Sequence, residues 1–209
     1  VLDDECWKRI TPTSNFSDEM HGTVVKDQTI VWIGYDDRAV YVAFHALDSD
    51  PKGIIARETK RGTKFFNEDR VRLRINPFNS KRSEDESEIN LNAIGTQMAE
   101  FAGGRANKQE WEGEWQGAAR IVEDGWTAEM AVPWTCFVRP KSNGEPVTIG
   151  LNFDRYQART QIKSYWSNLG RHERRELGGE WVGVVLPPNA DERPFSALFY
   201  AYGGYDRGE

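Results

Sequence analysis

The chain has 209 residues and a formal net charge of −6 at pH 7, and its composition is 12% aromatic with eight tryptophans. This length predicts one domain that can bury a core without disulfide staples. The negative charge counts against nucleic acid, which needs a basic face, and against an anionic membrane surface. No apolar run reaches the length that crosses a bilayer, so we expect no membrane insertion.

Short strand patterns recur along the whole chain. Residues 29–33 and 39–44 flank a polar turn and predict a hairpin. Residues 70–76 and 88–92 alternate strictly between polar and aliphatic side chains. Later strands are predicted at residues 115–122, 126–132, 148–156, 161–166 and 181–186, with a hairpin turn at 123–125.

Helical periodicity is weak, and the regular spacing of short strands is typical of an all-β domain. The sequence therefore predicts an antiparallel β-sandwich, jelly-roll-like, of about ten strands. We expect this domain to span residues 1–188. Residues 189–209 are predicted to be a C-terminal extension or linker, and 103–113 a polar loop.

Two of the alternating strands carry polar stripes. Arg70, Arg72 and Arg74 share one face of their strand, and Asn90 and Asn92 share a face of another. Such stripes commonly face solvent. Alternatively, they form a row of hydrogen-bond donors and acceptors, which suits the hydroxyl groups of a sugar when an aromatic ring lies nearby.

Three aromatic side chains are candidates for that ring. Phe65 and Phe66 are adjacent, so only one of them can point inward and the other is expected to be exposed. Trp166 lies at the predicted end of a strand, where it could contact a ligand or belong to the core.

The chain resembles the family 9 carbohydrate-binding modules and their family 9-like relatives over nearly its whole length. The closest match is Gly-Trp-Thr-Ala-Glu-Met-Ala-Val-Pro at residues 125–133. The other motifs follow in family order, at residues 2–7, 33–43, 67–73, 150–155 and 166–167.

This resemblance implies a β-sandwich that binds glycans without cleaving them. The sugar would lie between two rings, which match Phe66 and Trp166 here, and the polar contacts would come from Asp48, Arg72, Asn90 and Asp154. Three positions depart from the family, with Phe66 in place of tryptophan, Arg72 in place of a carboxylate and Asn90 in place of arginine. These departures indicate a different sugar, such as an acidic one suited to Arg72, or the loss of sugar binding.

The resemblance also implies structural calcium and a cellular context. Candidate calcium ligands are Asp48, Asp50, Glu84 and Asp85, although solvated acidic loops are the alternative. The domain is expected to be exported, to an extracellular, periplasmic or outer-membrane-associated location. Its partners would be a polysaccharide or oligosaccharide and the other domains of a larger polysaccharide-degrading or cell-surface protein.

The two cysteines leave two interpretations open. Cys6 and Cys136 are 130 positions apart and follow no metal-binding spacing. Both are predicted to be small buried apolar groups. Alternatively they form a disulfide, which would suit an exported protein.

Three other functions compete with sugar binding. The sandwich could be a docking domain that has lost its sugar site. A glycoside hydrolase would need two facing carboxylates, for which the sequence offers four. Haem binding would need paired ligands, and the histidines and methionines show no such spacing. The candidate acids are Asp69, Glu88, Glu129 and Asp154, and the histidines are His21, His45 and His172.

Overall fold

The protein is described by a computed structural model that covers residues 2, 4–102 and 114–188. Eleven strands lie in these ranges, joined by turns and five short 3-10 segments. The strands are β1 (Ser17–Asp18), β2 (Thr29–Tyr35), β3 (Ala39–Leu47), β4 (Arg70–Asn76), β5 (Ser87–Asn92), β6 (Gln97–Glu100), β7 (Gln116–Val122), β8 (Gly125–Pro133), β9 (Pro146–Gln157), β10 (Ile162–Tyr165) and β11 (Gly179–Val185).

The strands form two antiparallel sheets. The large sheet has the order β1-β10-β9-β4-β5-β6, and β11 pairs with the first half of β9. The small sheet has the order β2-β3-β8-β7. The all-β sandwich predicted from the sequence is confirmed. The sequence did not predict the two short strands β1 and β6, which lie at opposite edges of the large sheet.

The core lies between the two sheets and follows the period-2 alternation. From the large sheet, Val71, Leu73 and Ile75 of β4 are fully buried. From the small sheet, Val42 and Phe44 of β3 pack in the same cluster. Each of these side chains contributes roughly 1.5–3 kcal/mol on burial, so the interface between the sheets supplies the main stabilisation.

The hairpin between β7 and β8 needs glycine at position 125. Gly125 has a φ of +147°, and a Cβ atom there would lie 2.1 Å from the carbonyl oxygen of Ala46. The close approach of β3 to this turn excludes any side chain, which explains the Asp-Gly turn signal in the sequence.

The cysteines do not form a disulfide in this structure. Cys6 is exposed and Cys136 is buried. The prediction of a small buried group is confirmed for Cys136 and wrong for Cys6, which lies in the turn just before the 3-10 segment Trp7–Arg9.

Two sequence predictions fall on residues that the structure does not describe, namely the loop at 103–113 and the extension at 189–209. Within the described ranges, no helix has the length and apolar character needed to cross a membrane.

Candidate functional site

The side of the large sheet that faces away from the small sheet carries the predicted polar residues. We call this side the outer face. It is formed mainly by Arg70, Arg72, Arg74, Glu88, Asn90, Asn92, Asn152, Asp154 and Tyr156. In the strand register Arg72 lies directly opposite both Asn90 and Asp154, so three of the predicted site residues are neighbours on adjacent strands.

The outer face is not a solvated stripe. Arg72 is 6% exposed, Asn90 1% and Asp154 0%. All seven residues of β4 are buried, on both faces of the strand. Buried charges must be paired or must hold a ligand, so the environment of each charge decides what this face can do.

Asp154 is at the centre of a buried ion network. Its Oδ2 lies 3.0 Å from Nε of Arg74 and 3.1 Å from Nε of Arg72. Arg74 also contacts Glu86 at 2.9 Å, Glu88 at 2.6 Å and Glu173 at 3.2 Å. Arg72 therefore does not offer a free cation, because it pairs with both Asp154 and Glu88.

The network continues toward β10 and the segment that follows it. Glu173 accepts hydrogen bonds from Lys163 and, at 3.0 Å, from the hydroxyl of Tyr165. Arg175 reaches Glu173 at 2.9 Å and Glu86 at 3.1 Å. The loop after β10 is thereby held against the outer face.

The network gives a pH dependence with a definite sign. Burial alone would raise the pKa of Asp154, but Arg72 and Arg74 outweigh it and the pKa lies below its ordinary value. Burial also opposes the charged form of Glu173, and Arg74 and Lys163 likewise lower its pKa. Carboxylates with lowered folded-state pKa values stabilise the fold above about pH 4–5, and that contribution is lost as the pH falls through the folded-state values.

We therefore expect the free energy of unfolding to fall steadily as the pH is lowered from about 5 to 2. Urea denaturation at a series of pH values measures this directly. The Asp154→Asn variant should show a shallower fall over the same range. An unfolding free energy that does not change below pH 5 would contradict the assignment of these charges.

Some buried polar atoms of the outer face have no partner among the described residues. These atoms include Oδ1 of Asn90, Oδ1 of Asp154 and Nε of Arg70. Two are acceptors and one is a donor, and they lie on three adjacent strands. Unsatisfied buried polar groups are costly and call for an explanation. Their accessible surface is close to zero, so a ligand on the outside of the sheet does not reach them directly, and buried water is the usual partner of such atoms.

Two aromatic rings lie beside these atoms. Phe65 is 3% exposed and Phe66 is 44% exposed, which confirms that one of the adjacent pair is exposed. The guanidinium carbon of Arg70 lies 5.7 Å from the centre of the Phe66 ring and 4.9 Å from that of Tyr156. The sequence analysis missed Tyr156, although alternation on β9 places it on the same face as Asp154.

Trp166 lies apart from this set. Its backbone N–H donates to the carbonyl oxygen of Phe153, and its ring lies 5.6 Å from the core ring of Phe153. A Cβ atom at Gly179 would come within 2.3 Å of the Trp166 ring. Tyr165 is directed to the outer face and Trp166 to the core. The predicted clamp of Phe66 with Trp166 is therefore not formed in this structure, and sugar contact by either ring stays a prediction.

Asp48 also lies away from the outer face. It accepts hydrogen bonds from Arg155 at 3.1 Å, Gln157 at 2.7 Å and Arg159 at 2.9 Å. Arg155 and Gln157 alternate with Asp154 on β9 and point to the opposite side. Asp48 thus stabilises one end of the sandwich and is not beside Arg72 or Asn90.

The residues proposed for calcium do not fit a calcium site. Both carboxylate oxygens of Asp48 are taken up by the cationic and amide groups of Arg155, Gln157 and Arg159. Glu84 pairs with Arg82, and Asp85 accepts from Ser80 at 2.7 Å. No group of three or more His, Cys, Asp or Glu side chains converges anywhere in the described ranges. Calcium binding stays a prediction without a site.

The four acids considered for hydrolysis are all engaged by partners within the fold, and Glu88 is paired with Arg72 and Arg74. Glu129 lies on the small sheet and accepts from Trp7 Nε1 at 2.8 Å and from the Leu2 N–H at 2.6 Å. Asp69 is buried and accepts from the Ile55 N–H at 2.9 Å. Asp154 has a lowered pKa, whereas a general acid near neutral pH needs a raised one.

Comparisons with known proteins give structural relatives only. No protein-family model matches the chain, and no curated protein matches it in sequence. A Bacteroides uniformis protein to which carbohydrate binding is provisionally assigned superposes with a TM-score of 0.65 and 13% identity, over 84% of this chain and 87% of the other.

Two further relatives are structures of a family 9 carbohydrate-binding module from Caldicellulosiruptor kristjanssonii. The complex with cellotriose has a TM-score of 0.60 and 15% identity, covering 93% of this chain and 92% of the other. The glucose complex has a TM-score of 0.58 and 13% identity, with 91% of each chain covered. The chain therefore has the fold that the sequence resemblance implied.

Proposed function

We propose that this protein binds carbohydrate without cleaving it, on the outer face of the large sheet beside Phe66. The observation that carries the proposal is the exposed ring of Phe66 beside the guanidinium of Arg70, at one end of a polar sheet face. An aromatic ring meets the apolar C–H face of a sugar, and fixed polar groups meet its hydroxyls. The shared fold with modules solved in complex with cellotriose and glucose supports the same class of ligand.

The residues that we assign to the site differ in part from those implied by the resemblance. Arg72, Asn90, Asp154 and Phe66 are retained. Tyr156 and Arg70 are added because they lie between or beside them. Trp166 and Asp48 are not included, because one packs against the core and the other is paired with arginines at the end of the sandwich.

We further propose that the domain works as a module of a larger exported protein that processes or holds polysaccharide. A non-catalytic binding domain would act by placing a catalytic partner at its substrate. The reason for proposing this context is the fold shared with two structures of a family 9 carbohydrate-binding module.

The test is a binding titration on a glycan panel that includes cellotriose and glucose. We expect Phe66→Ala to weaken binding at least tenfold, equivalent to about 1.4 kcal/mol, because the variant loses the apolar contact with the sugar ring. The matched control is Phe78→Ala, since Phe78 is also 44% exposed but follows the other end of β4. The control should bind within twofold of the unmodified protein, and both variants should keep its melting temperature.

Equal binding by the Phe66 and Phe78 variants would remove Phe66 from the site. A repeat with EDTA tests the calcium prediction separately. Binding that disappears with EDTA would establish that a metal ion is required.

Docking to another protein is the second candidate, and one observation favours it. Val182 on β11 is 73% exposed and Val185 is 40% exposed, so this edge strand presents apolar side chains to solvent. Failure of the folded protein to bind any glycan would favour docking and would contradict the sugar site.

A further inference from the structure

Arg70 differs from the other cations of the outer face. Arg72, Arg74, Lys163 and Arg175 each form an ion pair with at least one carboxylate. Arg70 is 4% exposed and has no ion pair with a carboxylate of the described residues. An unpaired buried charge is destabilising, so its position on this face requires a separate explanation.

The guanidinium of Arg70 is held in a fixed orientation. It stacks on Tyr156 at 4.9 Å and on Phe66 at 5.7 Å, measured from Cζ to the ring centres. Its Nη1 donates to the carbonyl oxygen of Phe66. Stacking and this hydrogen bond together leave the side chain little rotational freedom, so a partner would bind without a further ordering cost.

The remaining edge of the guanidinium has no partner. Nε is buried without a hydrogen bond, and Nη2 makes none to any described residue. Of these two nitrogens only Nη2 keeps surface that a ligand can reach, so it is the atom that can donate to a carboxylate from outside the sheet. Burial, followed by the charge of Arg72, lowers the pKa of Arg70 to about 10, so the group stays cationic at neutral pH.

The groups around Arg70 do not supply that carboxylate. On β5 Arg70 faces Asn92. The amide of Asn92 donates to Glu68 at 3.0 Å, and Glu68 also accepts from the Glu58 N–H at 2.9 Å. On β9 Arg70 faces Tyr156, and the next carboxylate along the face, that of Asp154, pairs with Arg72 and Arg74. The acids nearby are therefore already engaged.

A second cation lies at the exposed ring. Nζ of Lys64 is 5.7 Å from the centre of the Phe66 ring, the same distance as the guanidinium of Arg70. A sugar that contacts Phe66 would therefore lie near two positive charges. Neutral sugars gain nothing from this arrangement, whereas a sugar with a carboxylate gains from both charges.

We propose that the ligand is a uronic-acid-containing glycan, with the carboxylate of one hexuronate bound by Nη2 of Arg70 and its ring stacked on Phe66. This inference rests on the proposed function and specifies its ligand class. The sequence pattern assigned the binding of an acidic sugar to Arg72. Because Asp154 and Glu88 neutralise Arg72, we assign that contact to Arg70 instead.

The test compares galacturonate and glucuronate trisaccharides with their own methyl esters, which keep the sugar and remove the charge. Calorimetric titration of the full chain should show at least one acid binding tenfold or more tightly than its ester. In Arg70→Gln we expect that preference to fall below twofold while binding of the ester changes little. The matched control is Arg120→Gln, because Arg120 is exposed on β7 of the small sheet.

Each of the other possible results of this titration would contradict one specific part of the proposal. Equal binding of acid and ester, with neutral glycans still bound, would overturn the uronate proposal and leave the sugar site standing. A preference that survives in folded Arg70→Gln would overturn the role of Arg70. Absence of any glycan binding by the folded protein would overturn both proposals. If Arg70→Gln does not fold, Arg70→Lys keeps the charge without the planar guanidinium held between two rings, and a preference that persists unchanged in it would overturn the guanidinium contact.

Discussion

Replacing Asp154 by asparagine is expected to lower the free energy of unfolding by about 3–5 kcal/mol, which corresponds to a fall of roughly 6–20 °C in melting temperature. Asp154 is fully buried, and its carboxylate lies between the guanidinium groups of Arg72 and Arg74. Its removal would leave two neighbouring cations buried without their shared counter-ion. Burial of unbalanced charge is among the few changes that destabilise a domain to this degree.

The matched control for this prediction is Asp124→Asn. The carboxylate of Asp124 lies 2.9 Å from Nε2 of His45, but its side chain is 59% exposed. Exposed pairs contribute about 0–1 kcal/mol. Urea denaturation of both variants at pH 7 provides the comparison. A loss below about 1 kcal/mol for Asp154→Asn would show that water or rearrangement of the arginines compensates the missing charge.

Replacing Trp166 by alanine is expected to destabilise the fold by about 2–4 kcal/mol, somewhat less than a fully buried ring would. The ring packs on Phe153 at 5.6 Å and fills the space above Gly179, which cannot hold a side chain there. Removing it would open a cavity at the rim of the core. The measurement is again urea denaturation, with glycan binding measured in parallel on whatever fraction remains folded.

Trp166→Phe is the control, because it keeps a ring in contact with Phe153 and should cost less than half as much. The two interpretations of Trp166 predict opposite results. A structural role predicts lost stability and retained binding in the folded fraction. Unchanged stability with lost glycan binding would instead identify Trp166 as a ligand contact, as the family resemblance implied.

The agreement between sequence and structure is best where the signal is local. Strict alternation at residues 70–76 placed Val71 and Leu73 in the core and the arginines on the other face. Phe65 and Phe66 divide between core and surface as expected, although they lie in the loop and turn before β4 and not on a strand. The short strand β6 was missed because four residues carry too little periodicity, and its pairing with β5 comes from the sheet as a whole.

The candidate site depends on contacts between distant residues, so it could be predicted only in part. Register placed Arg72 beside Asn90 and Asp154, in agreement with the expected polar set. The partners of the charges were not predictable, since Arg74 meets Glu173 across 99 positions and Asp48 meets Arg155 across 107. For this reason the sequence could not show that Arg72 is paired with carboxylates and Asp48 with arginines, and it overlooked Arg70.

By itself, the sequence determined that this protein is an antiparallel sandwich with one apolar and one polar side to its central strands. It could do so because the alternation of side chains along a strand is a property of the backbone alone. Only the tertiary structure decided which polar groups neutralise one another, that Trp166 packs inward and that Arg70 stays unpaired between two rings. Charge pairing and burial depend on the distance and dielectric environment between residues far apart in the chain, and these exist only once the two sheets have assembled.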